Sequence, residues 1–158
     1  MHRTTSKCAF GNSACLLGRV ALGVSFLSAV ADRFGFWGPA GAQGIAWGDF
    51  SHFTAYVAVL NPWLPSALMP VLAWVATLAE IGAGLLLLAG LFVRPAALFS
   101  GCLLVSFGLS MTFTIGVKAP LDYSVFSAAA AAFFVAQLGG GAWSLDALRR
   151  SRRRAESA

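Results

Sequence analysis

Residues 95–117 read PAALFSGCLLVSFGLSMTFTIGV, and residues 123–145 read YSVFSAAAAAFFVAQLGGGAWSL. Each stretch holds 23 residues without a single Asp, Glu, Lys or Arg. A helix of about 20 such residues crosses the ~30 Å hydrocarbon core of a bilayer. The composition agrees, because 58% of the 158 residues are hydrophobic and only 11% are charged, against roughly 25% in a soluble domain. The sequence therefore predicts an integral membrane protein.

Two further apolar segments precede these stretches and bring the predicted transmembrane helices to four. We expect the spans at residues 14–36, 67–90, 96–116 and 123–138. The fold class is thus all-α, a four-helix transmembrane bundle, and the last span is short at about 24 Å. Residues 1–13 form a basic N-terminus, residues 14–143 the transmembrane domain, and residues 144–158 an Arg-rich tail.

The distribution of basic residues predicts the orientation of the bundle. Four spans place both chain ends on one side, and the cytoplasmic side carries the excess of Lys and Arg. Nine basic residues then lie inside: Arg3, Lys7, Arg19, Arg94 and the five Arg between residues 149 and 154. Only Arg33 and Lys118 lie outside. Because the basic clusters flank spans, they predict contact with the lipid bilayer and its anionic headgroups, and no nucleic acid.

The first span also has a rival interpretation. An apolar run at residues 20–28 follows basic residues and precedes Ala29-Val30-Ala31, which is typical of a signal peptide with an A-x-A cleavage site. Cleavage would leave three spans with their two ends on opposite sides, whereas a retained first helix puts the basic N-terminus on the same side as the Arg-rich C-terminus. We therefore expect a retained first helix.

The first extracytoplasmic loop, residues 37–66, is rich in Gly, Pro and aromatic residues and contains no Lys or Arg. Asp49 is placed to cap a short helix. Four apolar residues share one face of that helix: Phe50, Phe53, Val57 and Leu60. This spacing predicts an interfacial helix whose rings lie at the depth of the lipid headgroups.

Glu80 is the sharpest candidate for a functional residue, because it lies near the middle of the second span. An ionised carboxylate at that depth costs about 2.5 kcal/mol or more. Small residues share its helical face: Ala73, Ala76, Thr77, Ala83 and Gly84. Large apolar residues fall opposite: Val71, Val75, Leu78 and Leu85. Glu80 is therefore expected to face packed protein, protonated or paired, in a functional role or in an interhelical hydrogen bond that only holds the bundle together.

The first helix carries charges too close together for an ordinary span. Its uncharged segment, residues 20–31, is about 18 Å long, so at least one flanking charge lies below the headgroups. Arg19 can extend towards the cytoplasmic side. Asp32 needs a partner inside the bundle or water in an outward-facing vestibule. An ordinary helix end at the interface is the alternative for Asp32 and Arg33.

The remaining polar residues of the spans have simpler interpretations. Cys102, Ser106, Ser110 and Thr114 recur every four residues, which favours close helix packing with hydroxyls bonded to their own i−4 carbonyls over a ligand-lining role. Asp122 is predicted to cap the fourth span. The three cysteines have no Cys-x-x-Cys spacing, and the two histidines and these cysteines predict no metal site.

Three segments together resemble the DoxX-like family of small bacterial membrane proteins: RVALGVSFLSAVADRFGFWG at 19–38, ATLAEIGAG at 76–84 with its continuation to Arg94, and PLDYSVF at 120–126. The resemblance covers about residues 16 to 138. It implies a four-helix, multi-pass protein of the bacterial inner membrane. Some members of that family are linked to thiosulfate:quinone oxidoreduction or to oxidative-stress complexes. This sequence offers no paired cysteines in the outer half of the membrane for thiol chemistry.

We expect a buried polar network formed by Glu80, Arg19, Asp32, Arg33, Arg94 and Asp122. The leading hypothesis is an accessory or subunit protein in membrane redox or oxidative-stress physiology, with membrane or redox proteins as partners. One alternative is a quinone-reducing enzyme or subunit, in which Glu80 or Asp32 relays protons and quinone is the cofactor; another is a small-solute transporter or channel. A quinone site predicts an apolar cleft beside a carboxylate, a transporter predicts a water-filled polar cavity, and an accessory protein predicts neither.

Overall fold

The computed structural model describes the backbone of residues 2–156 and the side chains of residues 11–156. The described residues form helices and no strands, which confirms the all-α prediction. The α-helices are α1 His2–Arg33, α2 Phe50–Leu60, α3 Met69–Ala89, α4 Val93–Ile115, α5 Lys118–Asp122, α6 Val125–Leu138 and α7 Leu145–Glu156. The side chains of Arg3 and Lys7, which enter the predicted charge bias, lie outside the described side chains.

Within the part of the chain that the structure describes, three helical segments are long and apolar enough to cross a membrane: Gly11–Arg33, Ser66–Ala89 and Val93–Ile115. These segments correspond to the first three predicted spans. The fourth, α6, has 14 residues and is about 21 Å long, so a count of four spans stays a prediction. Two features differ from the predicted boundaries, since α1 extends back to His2 and the C-terminal tail forms the helix α7.

Glycines set the close approach between α1 and α3. A Cβ atom added to Gly84 would lie 3.1 Å from the carbonyl oxygen of Gly23, and one added to Gly23 would lie 2.7 Å from the Leu88 side chain. Backbone therefore packs directly on backbone, as small residues permit in membrane helices. Leu22 and Phe26 of α1 pack beside this crossing in a core with residues of α3, α4 and α6.

The helices α4 and α6 pack with two glycines of one against two rings of the other. A Cβ atom on Gly101 would lie 2.7 Å from the Phe133 ring, and one on Gly108 would lie 2.7 Å from the Phe126 ring. Both pairs are seven residues apart along their helices and run in opposite directions, so the two helices are antiparallel. The two rings fill the space that the missing side chains leave.

The predicted orientation of α3 is confirmed. On the face of Glu80, Ala73 and Thr77 are fully buried. The four large residues on the other face are all more than half exposed: Val71, Val75, Leu78 and Leu85. Small residues thus face the bundle and Val and Leu face outward, as expected for a helix that packs closely on one side and meets lipid on the other.

The helix predicted after Asp49 is present as α2, and the Asp49 carboxylate accepts the His52 N–H at 2.9 Å. This bond lowers the pKa of Asp49 below its usual range. The prediction of lipid-facing rings is corrected, because Phe53, Val57 and Leu60 are buried. Phe53 and Val57 pack in one cluster with Met69, Ala73 and Ala76. An apolar face has the same 3.6-residue period whether protein or lipid covers it. The position of α2 at a membrane interface stays a prediction.

Candidate functional site

Arg33 and Glu80 form an ion pair inside the bundle. The Arg33 Nη2 atom lies 2.6 Å from Glu80 Oε1 and 2.7 Å from Glu80 Oε2. Its Nη1 atom donates to the Thr77 hydroxyl at 2.9 Å, and that hydroxyl in turn donates to the Ala73 carbonyl. The Arg33 and Glu80 side chains are only 3% and 2% exposed. The carboxylate that the sequence left protonated or paired is thus paired, and its partner is the arginine at the end of α1.

Aromatic rings from the loop and from α2 cover the outer side of this pair. The Arg33 guanidinium carbon lies 3.7 Å from the centre of the Phe53 ring and 5.4 Å from that of Trp47, which gives cation–π contacts. Trp47 meets Phe53 edge-on at 5.2 Å. Arg33 Nε is buried and has no hydrogen-bond partner among the described residues. The rings exclude water from the pair and tie α2 to α1 and α3.

Asp32 organises the loop that carries Trp47. Its carboxylate accepts three backbone N–H groups, from Ala46 at 2.9 Å and from Trp47 and Gly48 at 3.3 Å. Gly48 has a φ of +72°, and a Cβ there would lie 2.2 Å from the Ala40 nitrogen, so this turn requires glycine. Asp32 therefore takes its hydrogen-bond partners from the loop backbone and holds the loop that carries Trp47. The neighbouring Arg33 contacts the Trp47 and Phe53 rings that cover the ion pair.

Arg19 lies in a separate cluster near the middle of α1, beside the C-terminal end of α3. Its Nε donates to the Leu87 carbonyl at 3.0 Å, and its Nη1 donates to the Gly140 and Trp143 carbonyls at 2.6 and 3.0 Å. The side chain is 2% exposed. A cation among the last carbonyls of α3 satisfies groups that the helix leaves unpaired and opposes the negative end of its dipole. The nearby Cys15 thiol donates to the Gly139 carbonyl.

The six residues expected in one network are therefore distributed over several places. Glu80, Arg33 and Asp32 come together under the loop, whereas Arg19 binds backbone carbonyls about 21 Å away along α1. Arg94 is exposed, and Asp122 pairs with Lys118 on the surface. The sequence indicated how deep each charged residue lies along its own helix but did not show which of these residues would meet.

The four-residue stripe on α4 does not face the ion pair. Cys102 and Ser106 are exposed, and Ser110 and Thr114 are half-buried. The Ser106 and Thr114 hydroxyls donate to the carbonyls four residues earlier, at 2.9 and 2.7 Å. These hydroxyls are bonded within their own helix, as the packing interpretation expected.

Sequence reasoning missed Asp146 and Asn12. The Asp146 carboxylate accepts the N–H groups of Phe92 and Val93 at 3.0 and 2.9 Å and so caps the start of α4. The Asn12 side-chain oxygen accepts the Ala142 N–H at 3.0 Å. Both contacts join positions more than 50 residues apart, and no local sequence pattern marks them.

Two surface features adjoin these clusters. Near the ion pair, Phe34 stacks on Phe50 at 5.8 Å and Phe50 lies 4.6 Å from Trp74; we call these three residues the aromatic patch. Phe34 and Trp74 are 44% and 47% exposed. At the other end of the bundle lies a cavity of about 550 Å³, lined by residues of α1, α4, α7 and the 138–142 turn. Glu80 lines neither this cavity nor the smaller one beside α7.

A protein-family model described as DoxX matches residues 14–115 of the 158. The match includes Arg19, Asp32, Arg33 and Glu80. No curated protein and no solved structure matches this sequence.

Proposed function

The chain belongs to the DoxX family of membrane proteins, and we propose that it is an accessory or subunit protein in membrane redox or oxidative-stress physiology. The redox assignment comes from the family resemblance, since relatives are linked to thiosulfate:quinone oxidoreduction and to oxidative-stress complexes. The accessory role is argued from the geometry of the clusters at Glu80 and Arg19.

The observation that supports an accessory role is the burial of the Arg33–Glu80 pair, whose side chains are almost fully shielded from solvent. Both carboxylate oxygens of Glu80 lie within 2.7 Å of one guanidinium nitrogen, and the Phe53 ring covers that guanidinium. A proton relay needs a group that exchanges protons with water or substrate. A buried ion pair of this kind instead fixes the packing of the elements that meet at it. We infer that the pair holds α1, α2 and α3 in the arrangement that a membrane partner recognises.

The proposed placement is the bacterial inner membrane, with four spans and both termini in the cytoplasm. The nine-to-two bias of basic residues supports this orientation. The packing of α6 along α4 supports a fourth span, because Phe133 and Phe126 follow Gly101 and Gly108 over two turns of the helix. The Arg19 and Arg33 clusters then mark the inner and outer ends of the same bundle.

One observation favours a second function, a quinone-linked subunit. The aromatic patch is exposed beside the buried ion pair, and its rings offer flat apolar surface to a planar ring from the lipid phase. In this alternative Phe34 and Trp74 contact the quinone, and Glu80 is linked to it through Arg33. Quinone is the cofactor that this alternative requires.

The test is complementation of a deletion strain under oxidative stress, with the amount of folded protein measured in each case. The R33M/E80M double variant removes both charges and keeps apolar side chains of similar length. An accessory role predicts that this variant folds and restores resistance, because apolar side chains of similar volume can keep the helix arrangement that the partner recognises. A folded variant that restores nothing would contradict the accessory role and favour titration at Glu80. Replacement of the aromatic patch by F34L/W74L separates the quinone alternative, which predicts lost quinone reduction with normal folded yield.

A further inference from the structure

The cavity of about 550 Å³ lies where α4 begins, α6 ends and α7 begins. Its lining residues include Asn12 from α1, Arg94, Arg150 and residues 139–142. This end of the bundle is distinct from the Glu80 site, since the Arg19 cluster separates the two.

Two arginines that line this cavity have no charged or hydrogen-bonded partner among the described residues. Arg94 and Arg150 are exposed, and neither forms an ion pair or a hydrogen bond with another described residue. Asp146 is the only carboxylate among the described residues that line the cavity. Both of its oxygens already accept the N–H groups at the start of α4. The cavity lining therefore carries two positively charged side chains whose donors no described residue accepts, and one carboxylate whose two oxygens already accept hydrogen bonds.

The glycine turn shapes the cavity around Arg94. Gly139 has a φ of +79°, and a Cβ there would lie 3.1 Å from Arg94 Nε. The guanidinium thus lies directly against backbone, which limits the directions in which it can extend. On the other side, Asn12 fixes the turn by accepting the Ala142 N–H. A charged group held by such a frame is closer to a binding site than to a mobile surface arginine.

Large apolar side chains are exposed at this end of the bundle, and two of them, Phe92 and Leu138, line the cavity. Phe92, Leu138 and Trp143 are each more than half exposed, and Leu145 and Leu148 are nearly half exposed. Arg149 lies over the Phe92 ring at 5.7 Å. Exposed rings and leucines beside guanidinium groups fit the boundary between headgroups and acyl chains, where an amphipathic basic helix lies in the membrane plane. The occupant of the cavity therefore carries both an anion and an apolar part.

We propose that this cavity binds the phosphate of an anionic phospholipid. Arg94 and Arg150 bind the phosphate oxygens, for which the planar guanidinium is suited. The acyl chains leave along Phe92 and Leu138. The helix α7 lies on the membrane surface with Leu145 and Leu148 towards the acyl chains and its arginines towards the headgroups.

Native mass spectrometry of the full-length protein tests the proposal, with phosphatidylglycerol or phosphatidylcholine added to the detergent. We expect R94Q/R150Q to retain phosphatidylglycerol about 25-fold less than wild type, because each basic residue near anionic lipid contributes about fivefold in affinity. The matched control is R152Q/R153Q, which removes the same charge from α7 at positions that line neither cavity. The control should lose less than about threefold.

Three results would overturn the proposal. Equal losses in the two double variants would mean diffuse attraction by the basic tail. Equal retention of the two lipids by wild type would mean that the anion is not recognised. If inorganic phosphate raised the melting temperature as much as phosphatidylglycerol does, the site would take a free anion and no lipid. Should R94Q/R150Q fail to fold, R150Q alone carries the same test, with an expected loss of about fivefold.

Discussion

At the scale of single residues, the guanidinium groups of two α1 arginines bind different kinds of partner. Arg33 meets a carboxylate, a hydroxyl and a ring, whereas Arg19 meets backbone carbonyls. Each is buried, so each must satisfy most of its donors inside the protein. Arg19 reaches its partners because Gly90 leaves space at the end of α3, with a Cβ there falling 2.5 Å from Arg19 Nη2.

Gly90→Ala should therefore destabilise the protein by about 1 to 3 kcal/mol, because the added methyl group meets the guanidinium and because φ at this residue is +68°. Gly82→Ala is the matched control, since a Cβ at Gly82 meets nothing within 4 Å. Thermal unfolding of the two variants in the same detergent measures the difference. Equal melting temperatures would mean that the Arg19 cluster does not depend on the bare backbone of Gly90.

Asp32→Ala should loosen the loop that covers the ion pair, because three backbone N–H groups lose their acceptor. We expect protease cleavage between residues 38 and 48 to be faster than in wild type, while cleavage of the C-terminal tail is unchanged. Limited proteolysis of the two proteins in membranes, followed by mass spectrometry of the fragments, makes the comparison. An unchanged pattern would argue that the loop is held by its aromatic contacts alone.

At the scale of elements, the sequence predicted which segments are helical better than it predicted which helices pack against each other. The face of α3 followed from the 3.6-residue period, because small and large residues there separate cleanly. The same period on α2 gave the right face and the wrong environment, since Phe53 and Val57 pack on α3. Periodicity records that a face is covered, whereas the covering partner depends on contacts between distant residues. For the same reason, the sequence did not predict that the charged residues divide into two clusters.

The antiparallel contact of α4 and α6 predicts a size requirement. Gly108→Val should cost about 1 to 3 kcal/mol, since a Cβ would already lie 2.7 Å from the Phe126 ring. The double variant G108V/F126A should lose less than the sum of the two single losses, because removal of the Phe126 ring opens space for the valine. Gly82→Val, with open space around the added group, controls for the lower helix propensity of valine. A penalty no larger than that of the control would contradict the packing.

At the scale of the whole molecule, the charged clusters divide the bundle into two ends. One end carries Arg19, Arg94 and α7, and the other carries the Arg33–Glu80 pair with its aromatic cover. The distance between the two arginines of α1, about 21 Å, is compatible with a bilayer core only if both side chains are sheltered by protein or reach towards a surface. The packing of α1 against α3 helps to bury both arginine side chains.

We expect the first helix to be retained, with both termini in the cytoplasm. Cleavage after Ala31 would remove Arg19 and Gly23 and with them the contacts to the end of α3. Intact-mass measurement of the protein isolated from membranes should therefore show the N-terminal segment. Reporters fused at either end should both report the cytoplasm. A mature protein that begins at Asp32 would overturn this expectation.

The proposed structural role of the Arg33–Glu80 pair can be tested with a double-mutant cycle. We expect R33M and E80M each to cost about 3 to 5 kcal/mol, because each leaves one buried charge without its partner. The double variant R33M/E80M should be far more stable than the sum of the two losses implies, with a coupling of at least about 2 kcal/mol. Unfolding of the four proteins in one detergent gives the four free energies. Strictly additive losses would show that the two side chains do not depend on each other and would contradict the account.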